Sequence, residues 1–130
     1  MPEKGAARMA ISELSLERED RDGVQIVHVR GPLDSLSHDQ FKEYMDELAG
    51  QPHPNIVLDC EHLSYINSRG ITLLARYQRA LSSSLAFFGI AALNARLMKS
   101  IELLGMAKIL RLYPTLDDAM KAATALASGA

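Results

Sequence analysis

The chain has 130 residues, 48 % of them hydrophobic and 23 % charged, which are ordinary values for one globular domain with its own core. Its single cysteine excludes an internal disulfide and a multi-cysteine zinc site. Fourteen basic and sixteen acidic residues leave a net charge of −2, without the basic field that generic nucleic-acid binding needs.

Met1 to Ala10 is small, polar and unpatterned, and is expected to be a flexible tail, leaving residues 11–130 as the domain. Leu14 and Leu16 alternate with Ser15 and Glu17, which predicts a half-buried strand. Asp20-Arg21-Asp22-Gly23 carries the Asp-Gly hairpin signal. Val24 to Val29 is the second strand, with Val24, Ile26 and His28 on one face and Val27 and Val29 on the other. Gly31-Pro32 is expected to end it, because proline cannot donate to a ladder.

Ser37 and Gln40 fit a capping box, and Leu36 and Phe41 a hydrophobic staple. They open a helix in which Phe41, Tyr44, Met45 and Leu48 recur at helical spacing before Gly50. The run Ile56-Val57-Leu58 predicts a strand buried on both faces, with Asp59 at its carboxyl end. Cys60 to Asn67 is expected to be a loop. A second helix follows over 68–81, apolar around much of its girth and therefore central. Leu85 to Ile90 is a fourth strand. Asn94 caps a third helix with the stripe Leu97, Met98, Ile101 and Leu104, and Gly105 ends it. Ile109, Leu110 and Leu112 make a fifth strand closed by Pro114. Thr115 and Asp118 start a last amphipathic helix. The order β-β-α-β-α-β-α-β-α predicts an α/β fold: a mostly parallel central sheet with an antiparallel edge hairpin at its N-terminal side.

Chemistry-bearing residues are few. His28, His38, His53 and His62 lack metal-site spacing. Cys60 follows a buried strand and reads as an inert thiol. No nucleophile elbow, phosphate loop or dinucleotide fingerprint is present, so no cofactor is expected. Asp59 at a strand end suggests a phospho-accepting receiver domain. The opening hairpin and the lack of a lysine after the fifth strand argue against it, and Asp59 reads better as a loop cap. No apolar run reaches the roughly 18 residues of a membrane span, and the start has no signal core, so the expected compartment is the cytoplasm.

The informative stretch is Tyr65-Ile66-Asn67-Ser68-Arg69-Gly70-Ile71. Either Asn67 or Ser68 can cap the helix that starts there. A serine at a helix N-terminus also stands where orphan amides and the positive dipole end favour an anion, so a phosphate would be tolerated. Asp34 leaves the carboxyl end of the second strand. Parallel pairing would put it on the same rim, as a turn residue or a contact.

These residues resemble the STAS domains, in particular the bacterial anti-sigma factor antagonists. The matching features are Gly31-x-Leu33-Asp34, Ile56-Val57-Leu58-Asp59, Leu63-Ser64-Tyr65-Ile66-Asn67-Ser68-Arg69-Gly70-Ile71 with Leu73-Leu74, Gly105 before Ile109, and Asp117-Asp118-Ala119. The resemblance spans about residues 12–127 and implies a single STAS domain. It implies phosphorylation of Ser68 by an anti-sigma factor that is also a serine kinase, and reversal by a metal-dependent serine phosphatase. The unmodified form would bind the kinase and free a sigma factor. Asp34, Tyr65, Ile66, Asn67, Ser68, Arg69, Gly70 and Ile71 would form the partner-binding surface, with no direct nucleic-acid contact and no membrane insertion. Two departures stand out. Asn67 replaces a frequent Asp and removes a charge beside the phosphate. Arg69 replaces a small residue and either pairs with that phosphate or projects into solvent. A second possibility within the family is a structural or regulatory subunit of a stress-signalling scaffold or a lipid-trafficking ABC transporter. A third reading, independent of the family, is a small enzyme with Ser68 as nucleophile and His62 or His28 as base.

Overall fold

Asp22 and Gly23 both take positive φ, 53° and 80°, the pair of left-handed residues that a tight primed turn needs. They fold β1 (Ser15–Arg21) back on β2 (Val24–Leu33) as an antiparallel hairpin. The computed structural model describes residues 13–127, so the tail expected at 1–10 and the predicted domain start at 11 lie outside the described residues. After the hairpin come α1 (His38–Ala49), β3 (Asn55–Ile66), α2 (Ser68–Ser83), β4 (Phe87–Ala91), α3 (Ala95–Leu103), β5 (Leu112–Tyr113) and α4 (Leu116–Ala127). The five strands lie in the order β1-β2-β3-β4-β5, and every pair after the hairpin is parallel.

The two-residue alternation of β2 sorts its side chains into two layers. Val27, Val29 and Leu33 join a core with Phe41 and Met45 of α1, Ile71 and Leu74 of α2, and Leu97 and Ile101 of α3. Val24 and Ile26 face the other way and meet Ala119, Met120 and Ala123 of α4. Three helices thus cover one face and a single helix the other, as is usual for a largely parallel sheet. Cys60 is buried in the first core, and burial pushes its thiol pKa far up, so it is inert at neutral pH. Tyr77 of α2 donates to Asp46 Oδ1 of α1 at 2.7 Å, which locks the two helices that flank the rim described below.

Several local expectations gave way to tertiary structure. β2 does not stop at Gly31-Pro32. Register shifts interrupt the β2–β3 pairing after His28 and again after Gly31, and beyond them Pro32 pairs with Tyr65 and Leu33 with Ile66. A bulge is where a sheet tolerates proline. The segment expected as a loop, Cys60 to Asn67, is strand as far as Ile66. Its buried residues Cys60, Leu63 and Ile66 recur every third position, because the irregularity breaks the two-residue alternation that marks a strand. Ser37 and Gln40 form no capping box. Ser37 Oγ donates to Pro32 O at 2.8 Å, and Gln40 Nε2 donates to Leu14 O at 3.2 Å. Leu36 is 95 % exposed, so no staple to Phe41 exists. β5 is only Leu112–Tyr113, with Ile109 and Leu110 in the preceding turn. Leu85 stands exposed ahead of β4 rather than in it. Asn94 does cap α3, accepting from the Leu97 amide at 2.9 Å. Thr115 accepts from the Asp118 amide at 3.1 Å.

Candidate functional site

The parallel pairing of Leu33 with Ile66 brings the exits of β2 and β3 to one rim, and the Asn67 amide donates to Leu33 O at 3.2 Å across it. On the β2 side, Asp34 organises the turn. Its Oδ1 accepts from the amides of Leu36 and Ser37 at 3.0 and 3.2 Å, while its own amide donates to Ser37 Oγ at 3.0 Å. Asp34 is therefore a turn-holding residue whose carboxylate is engaged within its own loop. The turn leaves the Leu36 side chain in solvent.

On the β3 side the two capping possibilities are resolved. Asn67 is extended, with φ −92° and ψ 174°, and its Oδ1 accepts from the Gly70 amide at 2.8 Å. Ser68 is the first helical residue and is exposed. Because Asn67 supplies the cap, the Ser68 hydroxyl has no hydrogen bond among the described residues. It stands at the positive end of a 16-residue helix that has no acidic residue in its first turn. Arg69 is exposed beside it. Gly70 is buried, and a Cβ there would lie 2.9 Å from Ile66 Cγ1 and 3.2 Å from Leu33 Cγ. The first turn of α2 therefore sits directly on the ends of β2 and β3. Ile66 and Ile71 are buried at 3 % and 1 % exposure.

The eight residues expected on the partner surface thus divide. Tyr65, 51 % exposed, together with Ser68 and Arg69, faces solvent. Asp34 and Asn67 are half-buried and hold the two turns. Ile66, Gly70 and Ile71 are buried beneath them. Sequence reasoning missed two residues on the rim. Leu36 has the local spacing of a staple, yet its side chain stands in solvent. Arg96 of α3 reaches Ser64 O through Nη2 at 3.0 Å, a contact across 32 positions that no local signal announces.

The histidines proposed as a base for Ser68 are engaged elsewhere. His62 is exposed, and its Nε2 lies 3.9 Å from Glu61. His28 is bracketed by two carboxylates, with Nδ1 2.7 Å from Asp59 Oδ2 and Nε2 2.9 Å from Glu19 Oε1. Asp59 also accepts from the Glu61 amide at 3.2 Å, so its backbone-capping role is joined by an ion pair. No group of three His, Cys, Asp or Glu among the described residues could hold a metal ion.

The bracket has a pH signature. Burial is the largest single influence on His28 and pulls its pKa down. The hydrogen bonds and charges of Glu19 and Asp59 outweigh it, and the pKa ends above its ordinary 6.5. A raised folded pKa means that the stabilisation is complete below about pH 6.5 and fades as pH rises through the folded value. The Glu19 carboxyl shifts down, through His28 first and Arg21 second, and its contribution is lost in acid below its ordinary 4.5. Thermal melts are expected to show the melting temperature falling as pH rises above 6.5, and His28→Gln is expected to flatten that fall. Equal slopes in the two proteins would remove His28 from the account.

Residues 15–119 match the STAS domain family. The anti-sigma-F factor antagonist RsfB of Mycobacterium tuberculosis is 27 % identical over 101 residues, covering 78 % of this chain and 82 % of that protein. An anti-sigma F factor antagonist of Paenibacillus polymyxa is 25 % identical over 114 residues, 87 % of this chain and 95 % of the relative. Among solved structures, an anti-sigma factor antagonist from Mycobacterium paratuberculosis superposes with a TM-score of 0.78 at 29 % identity, covering 86 % of this chain and 95 % of that one. No helix of the described residues is long and apolar enough to cross a membrane.

Proposed function

This chain belongs to the STAS domain family, and on that premise we propose that it is an anti-sigma factor antagonist switched by phosphorylation at Ser68. The unmodified domain docks on an anti-sigma factor that is also a serine kinase, and docking frees the sigma factor. The relatives that match most of the chain are antagonists by name, which supports this reading. The single observation that carries it is the Ser68 hydroxyl, exposed and without a hydrogen bond among the described residues because Asn67 supplies the cap.

In the modifying step Ser68 Oγ bonds to the γ-phosphorus of ATP, ADP leaves, and the hydroxyl proton passes to a base on the kinase. The product carries about −1.5 to −2 charges at pH 7. The partner must dehydrate this rim to cover Leu36 and Tyr65, and a charged group at its centre makes that dehydration costly. A metal-dependent serine phosphatase restores the hydroxyl. The domain is then a substrate of enzymes rather than one itself, takes no cofactor and works in the cytoplasm.

The test pairs the purified chain with anti-sigma factor kinases from the same genome and magnesium ATP. Mass mapping is expected to place one phosphate on Ser68 and none on Ser68→Ala. Ser68→Glu is expected to bind the kinase roughly 5- to 150-fold more weakly, the usual span of coupling between two sites. Equal phosphate on Ser68→Ala, or equal binding by Ser68→Glu, would overturn the reading.

A further inference from the structure

The first three turns of α2 carry more than a serine. Ser68, Thr72 and Arg76 follow at i, i+4 and i+8 and stack along one face, with Arg69 and Leu73 as the neighbouring stripe. With His38 at the start of α1, these residues line a cleft of about 300 Å³. No acidic side chain lines it. Arg69 and Arg76 are exposed, and neither has a side-chain hydrogen bond or ion pair among the described residues. Arg76 senses Asp46 through space, but that carboxylate is already held by Lys42 at 2.9 Å and Tyr77 at 2.7 Å. His38 is 8 % exposed, and its Nδ1 is buried without a hydrogen-bond partner. The cleft thus presents two guanidinium groups that are unpaired among the described residues and no carboxylate, which is a setting for an anion.

The anion nearest at hand is one attached to the cleft's own border. Ser68 lines the cleft, so a phosphate on its Oγ would stand at the mouth. The Cα atoms of residues 68 and 76 are about 12 Å apart along a helix. Helical side chains lean towards the N-terminus, which directs the long Arg76 side chain up the stripe towards Ser68; Ser68 leans the same way, so Arg76 must extend fully to meet its phosphate. Guanidinium groups hold phosphate by paired, charge-assisted hydrogen bonds. We propose that Arg76, assisted by Arg69, clasps the phosphate of phosphorylated Ser68 over this cleft and holds it ordered on the flank of α2. The proposal rests on Ser68 as the phosphate acceptor. Its consequence is a modified state in which part of the added charge is neutralised within the domain, and a phosphatase must open the clasp before it can act.

The test installs phosphoserine at position 68 during synthesis, with a suppressor tRNA, so that no kinase is involved. Phosphorus NMR then follows the second phosphate ionisation, which in free phosphoserine falls near pH ~6. In the parent the midpoint is expected below that value. Arg76→Gln is expected to raise it by about half a pH unit, the scale of one exposed ion pair, and Arg69→Gln by less. High salt is expected to erase the difference. Arg76 is exposed, so the unmodified variant is expected to melt with the parent. An identical midpoint in the parent and both variants overturns the clasp. So does an Arg76→Gln protein with an unmoved phosphate but weaker binding of its partner when unmodified, because the cleft would then take an acidic group from that partner. A kinase that ignores Ser68 overturns the switch without changing these titrations, and an unshifted phosphate overturns the clasp without touching the switch.

Discussion

Gly31→Ala is expected to cost about 3 kcal/mol of folding stability, read as a lower urea midpoint at unchanged slope. Two effects add. Gly31 sits at φ 87°, a left-handed conformation that costs an L-residue about 1–2 kcal/mol. A Cβ there would also collide with the Glu13 carbonyl oxygen, and its next contact is Glu13 C at 3.1 Å. Both are backbone atoms ahead of β1, which cannot swing aside as a side-chain tip would. Overpacking of this kind adds about 1–3 kcal/mol. Gly105→Ala is the control. Gly105 has φ 72°, yet nothing lies within 4 Å of its Cβ position, so only the conformational cost of roughly 1 kcal/mol applies. If the two variants lose equal stability, the close approach of Glu13 to the bulge contributes nothing.

The second large effect falls beneath the site itself. Gly70→Val is expected to lose about 2–3 kcal/mol and to weaken binding of the anti-sigma kinase as well. Gly70 is helical, so conformational strain is not the issue. Its missing side chain lets the first turn of α2 press on Ile66 and Leu33, with the Cβ position 2.9 Å from Ile66 Cγ1 and 3.3 Å from Leu33 Cδ2. Both neighbours are buried at the strand ends and have little room to yield. Valine would lift the turn that carries Ser68 and Arg69. Gly70→Ala is a graded companion. Alanine gains about 1 kcal/mol of helix propensity, which offsets part of the smaller clash. A valine variant as stable as the parent, with parental binding, would show that the seat of α2 is not tight.

Much of this architecture is legible in local chemistry. Asp22-Gly23 specifies its own turn, Asn94 and Thr115 cap their helices, and Val24 to Val29 alternate as the two layers require. In each case the partner that rewards the residue lies within a few positions along the chain or on the face its periodicity already selects. Where the reward lies far away, local signals mislead. Ser37 has the chemistry of a cap, but its hydroxyl goes to Pro32 O, and Gln40 goes to Leu14 O across 26 positions. A cap is worth only about 1 kcal/mol, so one tertiary hydrogen bond is enough to redirect it.

For the candidate rim, the sequence by itself determined the element order, the serine at the start of the second long helix and the family likeness, because these rest on spacing along one chain. Tertiary structure alone decided the rest. Parallel pairing of Leu33 with Ile66 put the Asp34 turn beside Ser68, and it extended β3 through a stretch whose buried residues recur every third position. Packing of α2 on the strand ends separated the buried Ile66, Gly70 and Ile71 from the exposed Tyr65, Ser68 and Arg69. Pairing of β1, β2 and β3 collected Glu19, His28 and Asp59 into one bracket. The physical reason is common to all three: burial and charge pairing depend on which strands and helices become neighbours, and a chain read one residue at a time carries no record of that.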